Sequence, residues 1–183
     1  MKYIQRGAAL LTVLALLCTL TPPVKAAGET VTIATEQEFA DFAKSCTRDV
    51  WSQGVTVELK ADLDLSNMSF TPVPIFQGTF HGNGHTISGL SFEEKGSKVG
   101  LFRTLTQSAV VENLTVEGSL EPQGSASQVG LLAGENYGTV RGCTARGALS
   151  AQEDVGGLVG FNGEEGRLLQ CSNEATVLSL IHI

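Results

Sequence analysis

The phrase Val-Gly-Leu-Phe at 99–102 returns as Val-Gly-Leu-Leu-Ala-Gly-Glu-Asn at 129–136 and as Val-Gly-Gly-Leu-Val-Gly-Phe-Asn at 155–162. A unit that recurs every 24 to 30 residues is typical of a solenoid, because each unit buries its apolar side only against its neighbours. The 21 glycines predict many turns between short strands. The repeat therefore predicts a fold, although it indicates neither an activity nor a ligand.

Residues of like character fall into columns when the repeats are aligned. The alignment places residues 87–90 beside 111–114, 140–143 and 168–171. It predicts three inward columns, namely Leu90, Leu114, Cys143 and Cys171; Val99, Val129 and Val155; and Val116 and Ala145 with either Asn173 or Ala175. Two-residue hairpin turns are mostly missing between the short strands, which favours parallel coils over hairpin pairs. We predict an all-β chain that forms a right-handed parallel β-helix solenoid.

The segment before the repeats predicts a helix that closes the stack. Thr35 and Glu38 have the spacing of a capping box, and Phe39, Phe42 and Cys46 follow on one face of a helix over about 36–46. We expect this amphipathic helix to cover the open N-terminal end of the coils. A short strand is predicted at 30–33, and alternation over 55–65 predicts half-buried strands after the helix.

The first residues have the layout of an export signal. Lys2 and Arg6 precede an apolar run at 8–20, and a small-residue site ends at Ala26. The run is shorter than the roughly 20 residues that a bilayer requires, so we predict no membrane span in the mature chain. The predicted organisation is a signal peptide at 1–26, an N-terminal cap with the first strands at 27–75, repeat coils at 76–177, and an anomalous tail at 178–183 that indicates truncation.

The charge of the chain limits its partners. Loss of Lys2, Arg6 and Lys25 with the signal leaves 9 basic against 19 acidic residues, which changes the net charge from −7 to −10. Such an acidic chain is a poor match for nucleic acid. We expect an extracellular or cell-surface protein whose partners are carbohydrate or a host or cell-surface protein. The sequence leaves the oligomeric state open.

Two stretches also resemble a known family. Phe-Gln-Gly-Thr-Phe-His-Gly-Asn-Gly-His-Thr-Ile-Ser-Gly-Leu at 76–90 and the phrase at 155–162 resemble the GLUG-repeat proteins of bacterial cell surfaces, over roughly residues 30–177. The resemblance implies a right-handed β-helix of the pectin-lyase-like type, as found beside the peptidase modules of immunoglobulin-A1 proteases and within adhesins. His81 stands where that family usually has Asp.

We assign no residues to a catalytic, cofactor or metal site. A peptidase of the related kind needs His-Glu-x-x-His on a helix, and this string is missing. His81 and His85 are four residues apart, but the glycines between them favour a coil corner over a helical metal site. Asp62 and Asp64 are read as solvent-facing acids; an enzyme would require both to converge with His85 in one groove.

Two further groups leave alternatives open. Cys143 and Cys171 share a column, so they form either stacked buried thiols or a disulfide, while the odd number of three mature cysteines argues against a full disulfide framework. An aromatic sugar platform would need Trp51, Tyr137 and Phe161, which belong to different coils. We therefore do not assign these three to a site.

Together these features predict a secreted or surface-displayed β-helix scaffold, an adhesin-like binding module without catalytic activity. Two alternatives stay open. One is a carbohydrate-active β-helix enzyme, a lyase or hydrolase, and the other is a non-catalytic accessory region of a surface metallopeptidase.

Overall fold

The computed structural model describes residues 28–48, 50–69, 71–92, 96–121 and 126–179. Over these residues the chain is mostly β, and parallel sheets form a β-solenoid of about five turns. The predicted fold class is thereby confirmed. The predicted signal peptide at 1–26 and residues 180–183 of the predicted tail lie outside the described residues.

The elements are short, as strands of a coil must be. One α-helix, α1, covers Glu36–Ser45 in the described part of the chain, and a single 3₁₀ turn covers Leu65–Asn67. The strands are β1 (Thr30–Ile33), β2 (Thr56–Leu59), β3 (Leu63–Asp64), β4 (Val73–Phe76), β5 (Thr79–His81), β6 (Thr86–Leu90), β7 (Phe102–Leu105), β8 (Val110–Glu112), β9 (Thr115–Leu120), β10 (Ser127–Val129), β11 (Ala133–Asn136), β12 (Thr139–Arg141), β13 (Thr144–Ala151), β14 (Glu153–Val155), β15 (Val159–Asn162), β16 (Arg167–Leu169) and β17 (Ser172–Ser179).

Each coil visits three main sheets in the same order. Sheet A has six strands in the order β1-β2-β5-β8-β12-β16, sheet B has five in the order β17-β13-β9-β6-β3, and sheet C has four in the order β15-β11-β7-β4. A fourth, narrow side is formed by β10 and β14, to which Val99 is joined by a parallel bridge to Val129. All described pairings are parallel, so every interior strand hydrogen-bonds to the coil above and the coil below.

The interior is filled by stacked apolar side chains. On sheet A the inward column is Val31, Val57, Phe80, Val111, Val140 and Leu168. Two of the predicted columns are confirmed by the strand register, and these are Val99–Val129–Val155 and Val116–Ala145–Asn173. Asn173, and not Ala175, is therefore the third member of the latter column. Ile87 precedes Val116 in it.

The remaining predicted column is right in its last three members and wrong in its first. Leu114, Cys143 and Cys171 do stack. The amide of Thr144, which follows Cys143, donates to the Leu114 carbonyl, and the amide of Ser172, which follows Cys171, donates to the Cys143 carbonyl. Leu90, however, pairs with Gly118 across a bulge in β6. The position under Leu114 belongs to His85, whose carbonyl accepts from the amide of Thr115.

Similar apolar spacing explains this error, because Ile87 and Leu90 are three residues apart, as are Val111 and Leu114, although β6 lies in sheet B and β8 in sheet A. One corner of this coil is also longer than its equivalent in the next coil. Four residues, 82–85, connect β5 to β6, whereas two residues, 113–114, connect β8 to β9 in the next coil. Asn83 (φ 54°) and Gly84 (φ 81°) lie in the left-handed region, which confirms the predicted coil corner at Gly82-Asn83-Gly84. Across this corner the separation of paired residues falls from 31 residues (81 with 112) to 29 residues (86 with 115).

Helix α1 closes the N-terminal end of the coils. The predicted capping box is present, since Thr35 Oγ1 accepts from the amide of Glu38 and the Glu38 carboxylate accepts from the amide of Thr35. Phe42 is buried, and its ring lies 5.9 Å from that of Phe76 and 6.0 Å from that of Phe80. The helix therefore packs its apolar face onto the first rungs of the interior, as predicted.

The recurring Val-Gly pair marks the corner before sheet C. A Cβ atom on Gly130 would lie 2.6 Å from both the Ala133 oxygen and the Gly160 nitrogen, so no side chain fits there. The residue before each column valine has a positive φ although it is not glycine; these are Lys98 (65°), Gln128 (59°) and Asp154 (49°). The corner thus has one fixed backbone shape that the sequence repeats coil after coil.

Candidate functional site

The outer face of sheet A, called face A below, consists of two straight rows of side chains. The strand register places one residue of each row on every strand, at the strand separation of about 4.8 Å. The hydroxyl-rich row contains Thr30, Thr56, Thr79, Val110, Thr139 and Arg167, and the charged row contains Thr32, Glu58, His81, Glu112, Arg141 and Leu169.

The charged row alternates acids with the basic residues His81 and Arg141, and contacts between coils link its members. His81 Nδ1 lies 2.8 Å from a Glu112 oxygen, and its Nε2 lies 3.9 Å from a Glu58 oxygen. Arg141 reaches the second oxygen of Glu112 at 3.6 Å. Lys60 pairs with Glu58 at 3.2 Å at the edge of the row. Each acid therefore stands between basic neighbours, which favours a fixed arrangement of the row.

Local hydrogen bonds hold the first acid of this row in its charged form. Asn83 Nδ2 donates to Glu58 at 2.8 Å and to the carbonyl of Leu59 at 2.9 Å. The Asn83 amide, with Lys60 as a further donor, lowers the pKa of the Glu58 carboxyl below its ordinary value. The corner at 82–85 is thus tied to face A by its asparagine.

The polar side chains of face A are partly accessible to solvent. The Glu58, His81 and Glu112 side chains are 25%, 29% and 20% exposed, so a partner could contact their outer edges. The threonine hydroxyls beside them both donate and accept hydrogen bonds. A regular row of donors, acceptors and charges suits a partner that itself repeats, such as a polymer.

The residues required for the enzyme alternative are only partly brought together. His85 Nδ1 lies 3.0 Å from Asp62, which also accepts from the amide of Thr86 at 2.9 Å. These two bonds, the amide first, lower the pKa of Asp62. Asp64 instead accepts from the amide of Ser66 at 3.0 Å and caps the 3₁₀ turn, and this bond lowers its pKa.

Both acids are exposed to solvent, as predicted, and each also accepts a hydrogen bond from a specific backbone amide. They also do not share a strand face, because β3 contains only Asp64 of the two. The convergence of Asp62, Asp64 and His85 in one groove is not what the structure shows.

Metal ligation by the two corner histidines finds no support in the geometry. His81 and His85 point to different acids, Glu112 and Asp62. Among the described residues, no group of three or more His, Cys, Asp or Glu side chains could hold a metal ion. Nor does any helix in these residues have the length and apolar character needed to cross a membrane.

The three described cysteines are free thiols. Cys143 is buried, and burial raises the pKa of its thiol to about 12. Its Sγ contacts the carbonyl oxygen of Arg141 at 3.3 Å. Cys171 stacks on it but is only half-buried, since it belongs to the last described coil. Of the two predicted alternatives, stacked thiols are therefore the one observed.

The aromatic residues do not form one platform. Tyr137 and Phe161 form an edge-on pair with ring centroids 6.3 Å apart. Trp51 belongs to the other end of the molecule, where its ring lies 6.1 Å from Phe42 of helix α1. Because Trp51 lies apart from the other two rings, the three residues do not form a single sugar-binding platform.

Several important polar residues escaped sequence reasoning. Face A was not predicted, although Thr or a charged residue recurs at its positions with the coil spacing. Glu135 is 5% exposed and pairs with Lys98 of the preceding coil at 2.9 Å. Asn136 is fully buried and donates to Asn162 at 2.8 Å. The repeated phrase ends in Asn136 in one coil and in Asn162 in the next. This recurrence of asparagine was the available signal that the two side chains stack.

Comparison with known proteins gives partial similarity to much longer chains. The chain is 39% identical over 121 residues, 66% of its length, to halomucin from Haloquadratum walsbyi. It is 32% identical over 90 residues, 46% of its length, to a protein of Evansella cellulosilytica described as a Gly-rich membrane protein. These matches span 1% and 10% of the two relatives. No protein-family model matches the chain, and no solved structure does.

Proposed function

We propose that this chain is a non-catalytic β-solenoid scaffold displayed at the cell surface, and that face A binds a repeating carbohydrate polymer. The observation that carries the proposal is the double row of face A, in which five coils and the preceding strand present hydroxyl and charged groups in line. A polymer that runs along face A meets at least one hydroxyl or charged side chain at each coil. Such binding adds over many weak contacts rather than in one deep pocket.

The placement at the cell surface draws on the relatives. One of them is described as a membrane protein, and the other is named a mucin. The resemblance of residues 76–90 and 155–162 to GLUG-repeat proteins supports the same placement. Membership of that family, and the role of an adhesin, are part of this proposal.

A binding assay on a panel of soluble polysaccharides tests the proposal. We expect at least one neutral or anionic polymer to bind the purified protein, and long chains to bind more tightly than short oligomers of the same sugar. Replacement of Glu112 and Arg141 by Gln should weaken that binding by tenfold or more, because two neighbouring contacts are lost together. The polymer should be recovered uncleaved.

Sheet B offers a matched control row. Glu117, Arg146 and Glu174 stack on β9, β13 and β17 and point outward, as the charged row of face A does. Replacement of Glu117 and Arg146 by Gln should leave polymer binding unchanged. Equal losses in both double variants, or no binding by any polymer of the panel, would refute a binding role for face A.

A carbohydrate-active enzyme is the second candidate, because Asp62 and His85 are in direct contact. In that case a polymer of the panel would be shortened during incubation, with or without calcium. Asp62→Asn should then abolish the shortening, whereas Glu112→Gln should leave it. Polymer cleavage that Asp62→Asn abolishes would replace the scaffold proposal.

A further inference from the structure

The corner between β8 and β9 contains the triplet Asn113-Leu114-Thr115. Asn-x-Thr, in which x is not proline, is the pattern at which exported proteins accept N-linked glycans on the asparagine side chain. Because so short a pattern also occurs by chance, the orientation of its three side chains has to decide whether it is a site.

The fold turns the first and third side chains of the triplet outward and the second inward. Asn113 is exposed and Thr115 is half-buried, whereas Leu114 is 1% exposed and lies in the interior. Thr115 points outward because it precedes the inward Val116 on β9. The acceptor amide and the hydroxyl two residues after it therefore both lie on the outside of the solenoid, at the corner between sheets A and B.

The next coil leaves room beside the Asn113 amide. Gly142 has the equivalent place after β12, because the residues before the two corners, Glu112 and Arg141, are paired. A Cβ atom on Gly142 would lie 2.8 Å from Asn113 Oδ1, so a side chain there would crowd the amide. Glycine at this position keeps the space beside the acceptor open.

The preceding coil shows the alternative use of a corner asparagine. Asn83 has the same φ of 54° as Asn113, but its Nδ2 donates to Glu58 at 2.8 Å and to the carbonyl of Leu59 at 2.9 Å. The residue two positions after it is His85, not serine or threonine. Asn83 thus ties two coils together, whereas Asn113 is exposed and is followed by the required hydroxyl.

Neither the ends of the chain nor a neighbouring charge accounts for the exposure of Asn113. Strand β8 lies between β5 and β12 in the middle of sheet A, so a coil is stacked on each side of this corner. The adjacent acid, Glu112, directs one carboxylate oxygen to His81 at 2.8 Å and the other to Arg141 at 3.6 Å. The acid is therefore engaged along face A and not with the amide.

We propose that Asn113 accepts an N-linked glycan. The donor is an oligosaccharide joined through a diphosphate to a membrane lipid, and an oligosaccharyltransferase of the producing cell catalyses the transfer. Asn113 Nδ2 forms a bond to C1 of the first sugar and loses one proton. The bond from C1 to the diphosphate oxygen breaks, and the lipid diphosphate leaves with the electron pair. The proposal rests on the cell-surface placement in the proposed function, and it is independent of polymer binding by face A.

Mass spectrometry of the protein recovered from the surface or the medium of its producing cells tests the proposal. We expect the tryptic peptide between Arg103 and Arg141 to carry a glycan in most copies, and fragmentation to locate the sugar on Asn113. A second triplet of the same form, Asn67-Met68-Ser69, belongs to a different tryptic peptide, so a glycan there would not be counted.

Variants of the third residue separate glycan transfer from other modifications of the amide. Thr115→Ala should reduce occupancy of Asn113 by tenfold or more, and Thr115→Ser, which retains the hydroxyl, should preserve it. Thr144→Ala is the matched control, because Thr144 pairs with Thr115 on sheet B but follows Gly142. It should leave the occupancy unchanged. Circular dichroism verifies that each variant retains the fold.

Three results would overturn the proposal. They are an unmodified Asn113 in the exported protein, a modification that Thr115→Ala preserves, and equal losses in Thr115→Ala and Thr144→Ala. Each of these would leave the proposed function intact. Recovery of the protein only from inside the cells would contradict both the glycan and the placement at the cell surface.

Discussion

At the scale of single residues, the fold depends on identical backbone conformations at equivalent positions of successive coils. A left-handed conformation costs an ordinary residue roughly 1–2 kcal/mol, yet Lys98, Gln128 and Asp154 all adopt it before the column valine. The stack tolerates this cost because the neighbouring strands fix the corner from both sides. Glycine directly after the column valine, as at Gly130, leaves space for the close approach of the following strand.

The inward column of Leu114 gives the first prediction. Leu114 is 1% exposed, so Leu114→Asp places an unpaired carboxylate in the interior and should destabilise the protein by at least about 3 kcal/mol. Ser119→Asp on the same coil is the control, because Ser119 is exposed and the change should stay within about 0.5 kcal/mol. Urea denaturation of both variants provides the comparison. Similar midpoints would contradict the assignment of Leu114 to the interior.

Acid should weaken the fold through carboxyl groups that accept hydrogen bonds. Bonds from Ala34, Asn83 and Thr86 lower the pKa values of Glu38, Glu58 and Asp62, in that order. A carboxyl whose pKa is lower in the folded state stabilises the protein above its unfolded pKa, and this stabilisation is lost as the pH falls through the folded pKa. The melting temperature should therefore be steady between about pH 5 and 7 and fall below about pH 4.5.

Glu58→Gln identifies one contributor to that acid sensitivity. The variant should melt lower than wild type at neutral pH, and its melting temperature should fall less steeply below about pH 4.5. Glu121→Gln, at an exposed carboxyl, serves as the control. If the Glu58→Gln protein retained the full acid slope of the wild type, the bond from Asn83 would not be the source of the effect.

At the scale of elements, ion pairs between adjacent strands differ in value according to their burial. The pair of Lys98 with Glu135 joins two coils at 2.9 Å, and the Glu135 side chain is 6% exposed. The pair of Arg146 with Glu174 on β13 and β17 has the same length, but its side chains are 49% and 53% exposed. Solvent screens the second pair far more than the first.

These two pairs predict unequal effects of the same substitution. Lys98→Met leaves a buried carboxylate with Thr104 as its remaining partner and should destabilise the protein by about 1–3 kcal/mol. Arg146→Met should change stability by less than about 1 kcal/mol. Thermal unfolding at low and high salt measures both, and adding Glu135→Gln to Lys98→Met should recover part of the loss. Equal effects of the two single variants would show that burial does not determine how much an ion pair contributes to stability.

Predictions of individual elements from the sequence succeeded or failed for identifiable reasons. Helix α1 and the valine column were predictable, because a capping box and a regular repeat are local signals that do not depend on distant contacts. Leu90 was misplaced because Ile87 and Leu90 repeat the apolar spacing of Val111 and Leu114, although Ile87 pairs with Val116 in sheet B. Face A could not be read in advance, since the neighbours of Glu58 and Glu112 are set by coil stacking over 25 to 31 residues.

At the scale of the whole molecule, the two ends differ in how they are covered. Among the described residues, interior coils hydrogen-bond on both sides and α1 packs over the first rungs, while β16 and β17 pair on one side only. In a solenoid, stability is approximately the sum of terms within coils and between neighbouring coils. Within the described residues, the last coil therefore has one neighbour term where an interior coil has two.

Hydrogen exchange should reveal this polarity. Amides of β16 and β17 should exchange first, and those of β8 and β9 in the middle of the stack should exchange last. Phe42→Ala should accelerate exchange in β1 and β2, because it removes a buried ring from the covering helix. Uniform protection along the stack would mean that the solenoid opens as a single cooperative unit and has no frayed end.

The repetition of one corner shape and one pair of outer rows has a consequence for how such chains can vary. Gain or loss of a whole coil leaves every column intact and alters reach alone, by about 4.8 Å per coil. Gain or loss of a single residue within a strand would reverse which side chains face the interior. Variation in the number of coils can therefore set the length of the molecule, while the arrangement of its outer rows is kept.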